Sequence, residues 1–232
     1  MQGLSNIRKL SLWIFIVPVV VLNLCLYISV NYEVLQGTIF EVDPIGQSGF
    51  TIPYIDGSLS ISRSARTYPT YLLFKPGMII TSILLIKFWL EYNTFLKKLN
   101  NENNNKYFLY FGIFSAVFLI IHSILLGISF NIDLYKFFKR FVLLGFIIFE
   151  IIAQTLLVTN IFKLKKKIGH LINKKILFIK MFLVFTLIVV ALVSAPILNS
   201  SDYTHFKHAL EWNYFLGVVS FYLLTFFFWK RA

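Results

Sequence analysis

Long apolar runs alternate along the chain with short polar stretches, and six of the runs are long enough to span a bilayer. Crossing a ~30 Å hydrocarbon core takes about 20 helical residues. The runs extend from Ser11 to Asn31, Thr70 to Leu90, Phe108 to Ser129, Phe141 to Phe162, Ile176 to Ile197 and Ala209 to Trp229. None shows the strict alternation of a barrel strand. In hydrocarbon each segment must satisfy its own backbone hydrogen bonds, so each run predicts a helix. The expected fold is all-α: a six-transmembrane-helix bundle forming a single membrane domain over residues 1–232.

The longest connection is the first, from Tyr32 to Pro69. It holds Pro44, Gly46, Gly49, Pro53 and Gly57, then a Ser-rich stretch from Ser58 to Ser64. Connections this long are usually functional or disordered. Here Phe40, Phe50, Ile52, Tyr54 and Ile55 are interleaved with the turn residues, which predicts an ordered cap and allows short β-structure within it. The Asn-rich run from Asn100 to Asn105 predicts a polar turn. Asn199-Ser200-Ser201 is a glycosylation sequon close to the membrane.

Charge orients the bundle. The N-terminus, second loop, fourth loop and C-terminus carry 13 Lys/Arg, against 6 on the other three loops. Basic residues stay in the cytoplasm, so both termini are expected there and the long first loop outside. The third loop, with Lys136, Lys139 and Arg140, weakens this bias. Arg8 and Lys9 precede the first run without a small-x-small cleavage site after it, which predicts an uncleaved signal anchor. Lys87 and Lys180 fall near cytoplasmic helix ends, where long side chains are expected to snorkel. Lys75 adjoins Pro76-Gly77, a pair expected to kink the second helix.

Composition agrees with a membrane solvent. Of 232 residues, 58% are hydrophobic and 14% charged, where a soluble domain carries roughly a quarter charged. The net charge is +12, but the basic residues lie between apolar runs, which points to topology and anionic lipid rather than nucleic acid. Lys163, Lys165, Lys166, Lys167, Lys174 and Lys175 form a dense patch expected either to set topology or to contact anionic lipid. The lone Cys25 excludes an intramolecular disulfide and reads as a packing residue.

Ionisable groups inside a bilayer are costly, so each is a candidate. Glu150 lies near the middle of the fourth run with Gln154 one turn on. His122 lies on the third run. Glu211, Trp212 and Asn213 open the sixth, just after His205 and His208. Two readings stand side by side. These groups line one polar cleft entered from outside, or Glu150 is protonated and hydrogen-bonds between helices as a packing device. The His205–His208 pair with Glu211 has zinc-ligand chemistry but no metal-site motif. No GxSxG, HExxH, P-loop or GxGxxG motif occurs. No catalytic residue, metal site or cofactor is assigned, and oligomeric state is not specified.

Three places together carry a resemblance. Pro53-Tyr54-Ile55-Asp56 is followed by the Ser-rich stretch and Tyr68-Pro69, directly before the second run. The layout is six helices with one long first outer loop. The last run opens Ala209-Leu210-Glu211-Trp212 and continues Phe221-Tyr222-Leu223-Leu224-Thr225-Phe226. This resembles the Frag/DRAM/Sfk family, which includes the DRAM autophagy modulators, a Golgi factor that remodels GPI anchors, and the N-terminal domain of a cell-wall biogenesis protein. By position the resemblance carries over Pro53, Ile55, Glu211 and Trp212. Asp56 stands where the family usually has Ser. Lys136-Phe137-Phe138-Lys139 stands where members often carry a His, and the paired loop cysteines of some members are absent. The resemblance implies lipid-linked roles, such as GPI-lipid remodelling or membrane-lipid organisation, in the Golgi, another endomembrane or the plasma membrane. A small proton-coupled transporter using Glu150 and a non-catalytic scaffold are the alternatives.

Overall fold

The computed structural model describes residues 2–41, 49–99, 106–128, 132–199 and 202–230. Seven α-helices follow in order: α1 (Gln2–Val30), α2 (Ile61–Ala65), α3 (Thr70–Leu99), α4 (Tyr107–Leu125), α5 (Asp133–Ile168), α6 (Lys174–Asn199) and α7 (Thr204–Phe228). All but the short α2 are long and apolar enough to cross a membrane, giving the six expected spans. The Asn100–Asn105 run, Pro44, Gly46, Ser129 and the serines of the sequon at Asn199 lie outside the described residues.

The spanning helices form a closed ring. α1 packs on α3, α3 on α4, α4 on α5, α5 on α6, α6 on α7, and α7 returns to α1. Apolar attraction between helices is weak in lipid, so close backbone approach and interhelical hydrogen bonds hold such a ring. Small residues sit at the crossings. A Cβ added at Gly77 of α3 would lie 2.5 Å from the Val21 side chain of α1, and one at Gly112 of α4 would lie 2.4 Å from the Trp89 ring. Gly145 faces Phe118 and Gly217 faces Leu187 in the same way. Inside the ring, Phe88 packs edge-on against Trp89 at 5.1 Å and against Tyr222 at 5.0 Å.

The helices run past the apolar windows. α5 begins at Asp133 and ends at Ile168, so Lys139, Arg140 and Lys163 through Lys167 are helical rather than loop residues. Lysine and arginine are good helix formers, and charge marks the edge of the hydrocarbon, not the end of the helix. At 1.5 Å per residue α5 is roughly 54 Å long, well beyond the core thickness. α3 continues through Pro76 as one helix.

At the end of the ring that holds the termini, the α5–α6 connection pairs with the last residues. Asn173 N–H donates to Phe228 O at 2.9 Å and Lys230 N–H to Leu171 O at 2.9 Å, around an Ile172–Trp229 bridge. β-pairing therefore occurs here, and among the described residues of the first loop there is none. Arg8 ties α1 to the same end, its Nε donating to Phe226 O at 3.3 Å.

Lys180 corrects the snorkelling expectation. Its side chain is fully buried. Nζ donates to Thr225 Oγ1 at 2.7 Å and lies 4.0 Å over the Phe221 ring. α6 turns this position toward α7, whose hydroxyl and aromatic faces supply a slot for the ammonium. Lys87 is exposed.

Candidate functional site at the capped end

The described residues of the first loop form a cap over the ring's other end, and Asp56 shapes it. Its Oδ1 accepts from Ser58 N–H at 2.9 Å, and its Oδ2 accepts from Ile52 N–H at 2.8 Å. Thr51 Oγ1 donates to the same carboxylate at 2.8 Å and also contacts Ser58 Oγ. This is the local side-chain-to-backbone bonding by which Asp favours turns. The Ser58 and Ile52 amides and the two hydroxyls favour the charged carboxylate and lower its pKa from 3.8 to about 2.

Gly57 then lets the chain approach α7. Its φ is +62°, and a Cβ there would lie 1.7 Å from the His205 carbonyl oxygen. Only glycine fits both the conformation and the contact.

One face of α7 clasps the cap. His208 Nδ1 is 2.9 Å from Gly57 O. Trp212 Nε1 donates to Leu59 O at 2.8 Å, and Asn213 Nδ2 donates to Tyr54 O at 2.7 Å. The Tyr54 ring packs on the Trp212 ring at 4.9 Å, and its hydroxyl donates to Asn23 Oδ1 of α1 at 3.2 Å.

Glu211 completes the clasp. Its carboxyl group faces the backbone amides of Ile61 and Ser62, the first two residues of α2. Ser60 Oγ accepts from Arg63 N–H at 3.1 Å, and Ser60 O accepts from Ser64 N–H at 3.1 Å. Ser60 thus caps the start of α2 with its own side chain, and Glu211 of α7 lies beside the first two amides. Pro53 is buried in the cap, while Ile55 and Asp56 face outward.

A second polar cluster lies deeper, inside the ring. Glu150 of α5 meets Ser115 Oγ of α4 at 2.6 Å, Gln154 Nε2 at 3.0 Å and the Tyr222 hydroxyl of α7. Gln154 also donates to Val218 O at 3.2 Å, and Ser115 to Gly112 O at 2.9 Å. A protonated Glu150 gives every hydrogen an acceptor: Glu150 donates to Ser115, Ser115 to Gly112 O, and Tyr222 and Gln154 to the other carboxyl oxygen.

The candidates therefore separate into layers. Glu211 and Tyr222 are eleven positions apart on α7, roughly 16 Å along the axis. His122 lies seven residues beyond Ser115 on α4, about 10 Å from the Glu150 cluster by the same rise. The structure brings Glu211, Trp212 and His208 together with the Pro53–Asp56 loop, and Glu150 with Gln154. It does not join the two sets in one cleft. His205 meets the cap through its backbone while its side chain is exposed. Among the described residues no three His, Cys, Asp or Glu side chains are grouped to hold a metal ion.

Sequence reasoning passed over Ser115, Tyr222 and Gly57 as functional positions. A small polar residue amid the apolar residues of a spanning run marks Ser115, and the Asp-Gly-Ser order marks the turn at Gly57. Nothing in the sequence marks the Leu59 carbonyl.

No protein-family model, no curated protein and no solved structure matches the chain. A closed ring of six apolar helices under an ordered cap defines a multi-pass integral membrane protein.

Proposed function

We propose that the protein handles membrane lipid at its capped end, acting on or with a glycolipid or phospholipid of the outer leaflet. One observation carries this reading. The two stretches on which the resemblance to the Frag/DRAM/Sfk family rests, Pro53–Asp56 and Glu211–Trp212, lie against each other, with Asn213 reaching Tyr54 across 159 residues of sequence. In this reading the clasp lies at headgroup depth, where Trp and Tyr are favoured. Phe50, Ile52 and Ile55 project uncovered from the cap, apolar groups suited to contact with lipid. GPI-lipid remodelling and membrane-lipid organisation are the specific forms the family resemblance suggests, with both termini cytoplasmic by the distribution of basic residues. In this reading Glu211 is a positioning residue that holds the Ser-rich segment in place.

The transporter reading draws less support. Glu150 has its partners within the protein, and its side chain is 1% exposed. The lipid composition of a deletion strain tests the proposal. A changed glycolipid or phospholipid profile is expected. An unchanged profile with altered uptake of a small solute contradicts it and favours transport.

A further inference from the structure

We propose that the groove between α5 and α6 is a binding site for an anionic phospholipid of the leaflet on the termini side. The groove has a volume of about 240 Å³ and is lined by Thr155, Val158, Thr159 and Phe162 of α5 and by Met181, Val184, Phe185 and Ile188 of α6. Its two hydroxyls turn away from it. Thr155 Oγ1 donates to Ile151 O at 2.7 Å and Thr159 Oγ1 to Thr155 O at 2.8 Å, so the threonines present methyl groups to an occupant. Phe162 and Phe185 are 39% and 63% exposed, leaving the walls open to the surrounding lipid. The lining suits an acyl chain.

A basic rim stands at the termini end of this apolar surface. The α5 face that carries Thr155, Thr159 and Phe162 continues at helical spacing to Lys166, and the α6 face that carries Ile188, Phe185 and Met181 continues back to Lys174. Lys165 Nζ lies 3.9 Å over the Phe162 ring, so one ammonium rests directly on the groove wall. Lys163, Lys165, Lys166, Lys174 and Lys175 are exposed. From Ile151 to Ser201 the chain carries seven lysines and no acidic residue. An acyl-chain groove ending in a cluster of exposed cations matches the two ends of an anionic phospholipid. A second copy of the chain fits poorly, because a two-fold interface on this face would set the same lysines against each other. This inference concerns the opposite leaflet from the capped end and does not rest on the function proposed there.

The test uses the full chain in phosphatidylcholine nanodiscs, with Cys25→Ala and a fluorophore on Thr159→Cys. A second preparation carries the label on Phe185→Cys, so the result does not depend on one wall position. Quenching by phosphatidylglycerol with brominated acyl chains is compared with quenching by brominated phosphatidylcholine at equal mole fraction. Quenching about threefold or more stronger by the anionic lipid is expected. Combined Lys165→Gln, Lys166→Gln, Lys174→Gln and Lys175→Gln should equalise the two lipids, while Lys97→Gln with Lys98→Gln, at the end of α3, should leave the preference intact. Equal quenching in the unsubstituted chain, or a preference that survives loss of the groove lysines, overturns the proposal. So does shielding of both labels from both lipids with cysteine cross-linking between copies, which would assign the groove to a second copy.

Discussion

The Trp212 indole N–H and the Leu59 carbonyl meet at 2.8 Å across 153 residues of sequence, both residues fully buried. The last spanning helix thereby holds the loop that follows the first. Removing the donor strands a buried carbonyl, at a cost of about 1–3 kcal/mol. Trp212→Phe keeps most of the ring packing on Tyr54 and removes only the N–H. Amide hydrogen exchange over residues 51–64 should rise while α3 to α6 keep their protection. Unchanged exchange in the cap would show that the hydrogen bond does not hold it.

Asp56 makes the cap acid-sensitive. Its pKa is lowered by hydrogen bonds from the Ser58 and Ile52 amides and from Thr51 and Ser58, from 3.8 to about 2. A depressed carboxyl pKa contributes stability that is fully present above the unfolded value and is lost as pH falls through the folded one. Cap protection against protease should therefore be flat above about pH 4 and decline from there toward pH 2. Asp56→Asn should lower protection at neutral pH and remove the contribution of this group to the acid decline.

The Glu150 cluster separates hydrogen bonding from charge. In Glu150→Gln the new amide donates to Ser115, and its oxygen accepts from Tyr222 and Gln154. Thermal stability in detergent should fall little. Glu150→Leu strands the Tyr222 hydroxyl and one Gln154 donor in a dry interior, each at about 1–3 kcal/mol, and should lower the melting temperature clearly. Equal loss in both variants would mean that the carboxylate charge itself is needed for folding.

Lys180 and Thr225 give the converse case. A buried ammonium with few partners is weak evidence for stability, and an apolar replacement of similar volume is often neutral or stabilising. Lys180→Met should leave the melting temperature unchanged or raise it. Thr225→Val keeps the ammonium and removes its 2.7 Å acceptor, and should lower it. Destabilisation by Lys180→Met greater than by Thr225→Val would contradict this account.

The sequence made the spans legible because hydropathy over 20 residues depends on the solvent and little else. It also pointed to an ordered cap, since apolar residues such as Tyr54 among turn residues need something to pack on. The helix ends were less legible. Lys163 to Lys167 mark the edge of the hydrocarbon, and the helix runs on through them to Ile168. Lys180 near a helix end looks like a snorkelling side chain until α7 is known to stand beside it. Glu211 was visible as a candidate, but its partners were not. They are the backbone amides at the start of α2, which any residue except proline would offer at positions 61 and 62.

Complementation of a deletion strain by Glu211→Gln and Glu150→Gln, at equal protein abundance and with lipid composition as the readout, decides whether the protein acts at its capped end. The Glu211 carboxyl group faces the first two amides of α2, and the glutamine keeps the shape while losing one acceptor oxygen. Glu211→Gln should fail to restore the lipid profile, and Glu150→Gln should restore it. Full complementation by Glu211→Gln with failure of Glu150→Gln would contradict a site at the capped end and place the function at the buried cluster inside the ring.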